Sequence, residues 1–216
     1  MVLSLTLYYA SGACSLVPHV ALEEAGAAFD GMRLNLADGD QRKTGYLALN
    51  PKGRVPTLVV DKRPITEVIA ITSYLNARFP EAGILPNHDP VILSRAYEVM
   101  SWIASTVHVA FAQITRPERY ADDPDVGKAL AAPGRNRFVR SLGALEALAS
   151  APDAWLVGET FTAVDAYSLV VRRWAERIEV DLSSYPAWAK KGDKALARPA
   201  VARVLARETA PTSVAA

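Results

Sequence analysis

The single cysteine of this 216-residue sequence stands in Ser11-Gly12-Ala13-Cys14-Ser15, between an alternating apolar run and an amphipathic stretch. A thiol at a strand-to-helix junction faces free N–H groups and the positive end of the helix macrodipole, both of which favour an anion. The position therefore predicts a thiol that ionises readily, and the thiolate is the reactive form. Cys14-Ser15-Leu16-Val17 lacks the second sulfur of a C-x-x-C pair, so its natural product is a mixed disulfide with an outside thiol. The alternative is a small buried hydrophobe, which free cysteine often is. Ser15 either hydrogen-bonds the thiolate or simply occupies the first helical turn.

Two further segments suit a small peptide thiol. In Gly53-Arg54-Val55-Pro56-Thr57 a proline stands just ahead of a strand. If the Val55–Pro56 bond is cis, both backbone groups of Val55 can pair with an extended ligand as with an added strand. An ordinary trans proline entering an edge strand is the other reading. In Thr66-Glu67-Val68 a carboxylate stands where a helix begins. It either answers the dipole or holds the ammonium of an amino-acid head whose carboxylate sits on the Val68 amide.

Ser101, Ser105, His108 and Ala112 recur at i, i+4, i+7 and i+11 on a helical stretch. They make a narrow polar stripe beside the apolar face of Met100, Ile103, Ala104, Val107, Phe111 and Ile114. The stripe either lies at the surface or faces a cleft, bringing His108 near the sulfur. Tyr9 closes the first strand. His19 and His88 read as solvated histidines, and Tyr120, Trp155 and Trp174 as core.

The elements that must position these groups are legible from period and punctuation. Leu3 to Leu7 alternates as a strand, Ser15 to Ala25 reads as a helix stopped by Gly26, and Met32, Leu34 and Leu36 alternate again. After a short helical stretch at Tyr46 to Leu49, Thr57 to Val60 and Arg63 to Ile65 form strands around an Asp61-Lys62 tip, and Thr66 opens a helix to Phe79. The order β-α-β, connector, β-β-α calls for a small mixed sheet covered by helices. Residues 1–80 thus form one unit and 81–90, rich in proline, a linker.

Residues 91–216 read as all-helical. Val91 to Ile114 is one long helix, Val126 to Ala132 and Arg135 to Ala149 are two helices split by Pro133-Gly134, and Thr162 with Asp165 caps a helix reaching about Ile178. Pro186 to Leu196 and Pro199 to Arg207 finish the chain, ahead of a loose tail. A net charge of +1 gives no argument for nucleic acid or membrane. One cysteine, no signal-like N-terminus and no run of about 18 apolar residues lead to the expectation of a soluble cytoplasmic protein.

Taken in order, Tyr9-x-x-Gly12-Ala13-Cys14-Ser15, Asn50-Pro51-Lys52-Gly53-Arg54-Val55-Pro56, Thr66-Glu67 and Phe161-Thr162-Ala163-Val164-Asp165-Ala166-Tyr167 resemble bacterial beta-class glutathione transferases over nearly the whole chain. The resemblance implies a thioredoxin-like α/β N-terminal domain, an all-α C-terminal domain that carries the acceptor pocket, and a homodimer. It implies a cis Pro56, and catalysis by Cys14 and His108, with Ser15 and Tyr9 as lesser candidates. Glutathione would lie on Cys14, Arg54, Val55, Pro56, Glu67, Val68, Ser101 and His108, as a co-substrate and with no metal. The family's loop lysine has no counterpart in Leu36-Ala37-Asp38-Gly39-Asp40, which leaves Arg42, Lys43 or Arg54 for the glycine carboxylate. The expected activity is conjugation of glutathione to hydrophobic electrophiles, a detoxification reaction. The alternatives are reduction of disulfides or peroxides through Cys14, or a non-catalytic binding module.

Overall fold

The computed structural model describes residues 4–210; the end of the tail expected to be loose lies outside them. Strand β1 (Leu5–Tyr9) turns Leu5, Leu7 and Tyr9 inward by strict alternation. Helix α1 (Leu16–Glu24) follows, then β2 (Asp30–Arg33), a short helix α2 (Thr44–Leu47), β3 (Thr57–Val60), β4 (Arg63–Thr66) and helix α3 (Val68–Arg78). The sheet order is β2-β1-β3-β4, with β1 and β2 parallel and the other pairs antiparallel. Asp61 and Lys62 both take positive φ, the twist a two-residue hairpin needs between right-handed strands.

From Pro90 onward the described chain is helical: α4 (Pro90–Trp102), α5 (His108–Thr115), α6 (Pro124–Ala149), α7 (Ala163–Arg177), α8 (Pro186–Leu196) and α9 (Pro199–Thr209). Thr162 and Asp165 form the expected capping box at α7. Buried Asp165 also accepts the Leu156 amide at 2.9 Å, so the cap fastens the preceding loop as well. Helix α1 packs against α3, α7 and α9, which joins the α/β part to the helical part through one continuous core.

Several expectations need correction. The second strand lies earlier, at Asp30–Arg33, because residues 34–38 leave the sheet for a turn in which Asp40 accepts the Asn35 amide. Thr66 ends β4, and α3 starts only after Glu67. The long helix carries a π-helical turn at Ile103–Val107 between α4 and α5.

Pro133 and Gly134 do not split α6, which runs unbroken for 26 residues with Pro133 inside it. Gly134 serves packing instead: a Cβ there would stand 3.0 Å from the Gln113 Cβ and 3.1 Å from the Ala110 carbonyl. The missing side chain lets α6 lie directly on α5. His19 is not solvated but fully buried, its ring tilted against Tyr9 at 4.6 Å and edge-on to Phe29. Its i+3 and i+4 neighbours on α1 do not announce this, since α1 is enclosed on several sides.

Candidate functional site

The loop between β1 and α1 is closed by Ser15. Its hydroxyl accepts the Ala10 amide at 3.1 Å and donates to the Ala10 carbonyl at 3.2 Å. That commits the one O–H of a fully buried hydroxyl to the backbone, so Ser15 shapes the turn and has no proton left to give a thiolate. The Cys14 thiol points across to the Val55 carbonyl at 3.8 Å. Burial pushes this thiol up to about 12, with its own backbone hydrogen bond opposing only in part. Burial here runs against the easy ionisation expected of a helix start, because desolvation opposes the dipole.

Val55 is presented by the turn before it. Asn50 and Tyr46 are both buried. The Asn50 amide group donates to the Arg54 carbonyl at 2.7 Å and to the Thr57 hydroxyl at 3.1 Å, and the Tyr46 hydroxyl donates to the same carbonyl at 2.5 Å. These bonds brace the residues on either side of Val55–Pro56, whose peptide is cis as the resemblance implied. Among the described residues the Val55 amide has no backbone partner, leaving a donor open at the edge.

Glu67 holds φ 72° and ψ 131°, a conformation a non-glycine residue adopts only where its surroundings impose it. It places the carboxylate over the start of α3, paired with the Lys52 ammonium, which also donates to the Thr66 hydroxyl at 2.7 Å. Cys14, Val55, Pro56, Glu67, Val68 and His108 all line one cleft of about 370 Å³. That is ample for a small peptide.

His108 begins α5 and packs on Trp174, the ring centroids 4.6 Å apart and the planes tilted by 54°. Burial, helped by the Arg119 and Arg54 charges, lowers it to about 4, so it is neutral near pH 7. Ser101 does not join it: Ser101 is exposed and lines neither lobe that holds Cys14. The π turn inserts an extra residue per turn and rotates α4 relative to α5, so Ala112 of the expected stripe shares the cleft with His108 but Ala104 stands there in place of the serines. Tyr9 is also displaced from the expected role. It lies on the inward face of β1, against His19, and burial raises its phenol above the ordinary value.

A second lobe adjoins the first and shares Cys14, Arg54, Val55 and His108 with it. Its floor is Phe111 stacked on Trp174, 4.5 Å apart and 3° from parallel, and its rim carries Arg116, Arg119 and Arg177. Buried Trp174 is thus a cleft wall as well as core, exposed Tyr120 is a cleft wall and not core, and Trp155 is buried as expected. Tyr167 and Trp174, seven apart on α7, reach one lobe each; that two-turn spacing was the available signal. Glu208 carried none. It is buried near the C-terminal end of α9 and accepts the Gly12 amide at 3.1 Å and the Arg173 guanidinium at 2.8 Å. Among the described residues no cluster of three or more His, Cys, Asp or Glu could hold a metal, and no helix is long and apolar enough to cross a membrane.

A four-stranded mixed sheet with a cis-proline edge beside a cysteine-bearing helix start, packed on a helical bundle, defines a thioredoxin-like fold with an all-α partner. Residues 3–77 match the model of the glutathione S-transferase N-terminal domain. The chain is 32% identical over 208 residues to the glutathione S-transferase GstA of Escherichia coli O157:H7, covering 94% of this chain and 98% of that one. It is 29% identical over 205 residues to a maleylacetoacetate isomerase of Pseudomonas aeruginosa, covering 92% and 93%. A Sulfitobacter glutathione transferase homologue solved with bound glutathione superposes with a TM-score of 0.89 at 32% identity, covering 96% of this chain and 99% of that one. The chain belongs to the glutathione S-transferase family, and glutathione is the co-substrate that membership assigns to it.

Proposed function

We propose that this enzyme conjugates reduced glutathione to electrophilic carbon, and that its place in the family is beta-like. The single observation that carries the reading is the Cys14 sulfur at 3.8 Å from the Val55 carbonyl. It puts a thiol beside the backbone edge on which a peptide thiol would lie. Glutathione would pair its cysteinyl backbone with Val55 ahead of Pro56. Its γ-glutamyl head would rest on Glu67 and the Val68 amide, and its glycine carboxylate on Arg54. Lys43 is occupied by Asp40 at 2.6 Å and Arg42 lines neither lobe, which supports Arg54. Residues 1–80 would bind glutathione, 81–90 link, and 91–216 carry the acceptor pocket. The resemblance supports a homodimer, and the lone cysteine suits the cytoplasm.

The protonation states give the roles. A Cys14 thiol pushed up to about 12 stays protonated near pH 7, so it serves as an S–H donor to the glutathione sulfur. Neutral His108 adds an N–H donor. Two donors aimed at one sulfur stabilise the glutathione thiolate and lower its pKa. The thiolate then forms the C–S bond as the leaving group departs, and the thiol proton goes to solvent. The same protonated thiol weighs against disulfide or peroxide reduction through Cys14, which needs the thiolate.

Calorimetry with reduced glutathione tests the site, and Cys14→Ala tests the roles. Saturable binding at millimolar ligand or tighter is expected, with Cys14→Ala retaining conjugation while lowering kcat by about tenfold. No saturable heat would overturn the reading. Disulfide reductase activity abolished by Cys14→Ala, with no conjugation in either protein, would replace conjugation by reduction.

A further inference from the structure

We infer that the acceptor is an anion: a flat, conjugated electrophile carrying a carboxylate or sulfonate, held by Arg119 and Arg116 over the Phe111–Trp174 floor. The inference rests on the conjugation reading and narrows its substrate class. Arg116, Arg119 and Arg177 project into the lobe that contains Cys14, His108 and the stacked aromatic pair. No Asp or Glu lines that lobe. Among the described residues none of the three makes an ion pair, whereas Arg172, Arg173, Arg198, Arg203 and Arg207 each hold a carboxylate. The chain as a whole carries a formal charge of only +1, so this concentration of unpaired cations is local.

Arg119 and Arg116 are half-buried. Burial lowers the Arg119 guanidinium below its ordinary value, and the Arg54 and Arg116 charges lower it further. Like charges crowded in a partly dry cleft, without an anion among them, are relieved when one binds. A guanidinium presents a planar fork that matches carboxylate or sulfonate oxygens. Glutathione supplies one carboxylate near this lobe, on the Arg54 side beside Val55. The arginines of the helical part remain for a second anion, and its flat body would lie on the aromatic floor within reach of the sulfur. A purely apolar acceptor would leave these cations desolvated and unpaired, so the pocket discriminates against it.

A matched pair of electrophiles tests this, a chlorodinitrobenzoate and the corresponding chlorodinitrobenzamide. With either, the glutathione sulfur replaces chloride on the ring: C–S forms, C–Cl breaks, chloride leaves and the thiol proton passes to solvent. Each kcat/KM is divided by its own uncatalysed rate constant. The acid is expected to be favoured by about tenfold or more. That ratio should fall towards one in Arg119→Gln and Arg116→Gln, and in the native enzyme as salt is raised.

A ratio near one in the native enzyme would overturn the inference. So would a raised KM for glutathione in Arg119→Gln with the ratio unchanged, because the arginines would then be serving glutathione's own carboxylate. If neither compound is conjugated, calorimetry with unreactive dinitrobenzoate in the presence of S-methylglutathione decides. Saturable binding lost in Arg119→Gln supports the anion site while the conjugation reading fails, and no binding overturns the anion site as well.

Discussion

The indole N–H of Trp174 donates to the carbonyl of Gly12 at 3.0 Å. This one bond ties α7 of the helical part to the loop that carries Cys14, and the same indole packs against the His108 ring. The two proposed sulfur donors are therefore held against each other through a single side chain. Trp174→Phe keeps a ring against His108 and removes the tether. It should cost about 1 kcal/mol of stability and lower kcat/KM for conjugation by about tenfold through misplacement of the loop. Urea unfolding and steady-state kinetics on the same variant separate the two effects.

Glu208 grips the other side of that loop. Its side chain is 1% exposed and pairs with Arg173, while its backbone carbonyl accepts from Ser11 at 2.7 Å and from Arg33 at 2.8 Å. Removing one member of a buried charge pair leaves the other uncompensated. Glu208→Gln should destabilise the fold by about 2 kcal/mol, less than for a fully buried pair because Arg173 is 29% exposed. A double-mutant cycle with Arg173→Met should recover part of that loss. Additive effects in the cycle would show the pair to be uncoupled.

Buried His19 predicts an acid sensitivity. Neither of its ring nitrogens has a hydrogen-bond partner among the described residues. Burial, with the nearby Arg207 charge, lowers it to about 4, and Glu23 opposes only in part. Between about pH 6.5 and 4 the unfolded chain takes up this proton and the folded chain does not, so stability falls as pH falls through that window. The loss approaches about 3 kcal/mol at pH 4 from His19 alone. His108 adds a loss in the same direction. His19→Leu should flatten the profile by roughly half and raise stability near pH 5. Equilibrium urea melts from pH 4 to 8 give the comparison, and an unchanged slope would contradict it.

Gly134→Ala probes the α5–α6 contact. Alanine improves helix propensity by about 1 kcal/mol over glycine, but its Cβ would meet the Ala110 carbonyl at 3.1 Å. Backbone oxygen cannot swing aside as a flexible side chain can, so overpacking by about 1–3 kcal/mol should outweigh the gain. A net loss of stability is expected in thermal or urea unfolding. A net gain would show that α5 and α6 can part without cost.

The α/β order, the helical remainder and the capping box at Thr162 were readable from the chain alone, because each rests on local period or local hydrogen bonding. So were Cys14, Val55, Pro56, Glu67 and His108 as residues to be brought together, and one cleft does contain all five. Local rules failed where an enclosing neighbour altered the outcome. Pro133 does not end α6, and Ser15 turns back to Ala10. Ser101 is rotated away from His108 by a π turn that leaves no mark in a seven-residue spacing. The tertiary structure alone decided that burial opposes ionisation of the Cys14 thiol and that Arg177 joins Arg116 and Arg119 on one lobe. Desolvation and charge crowding depend on what packs around a group, and neither is a property of its position in the sequence.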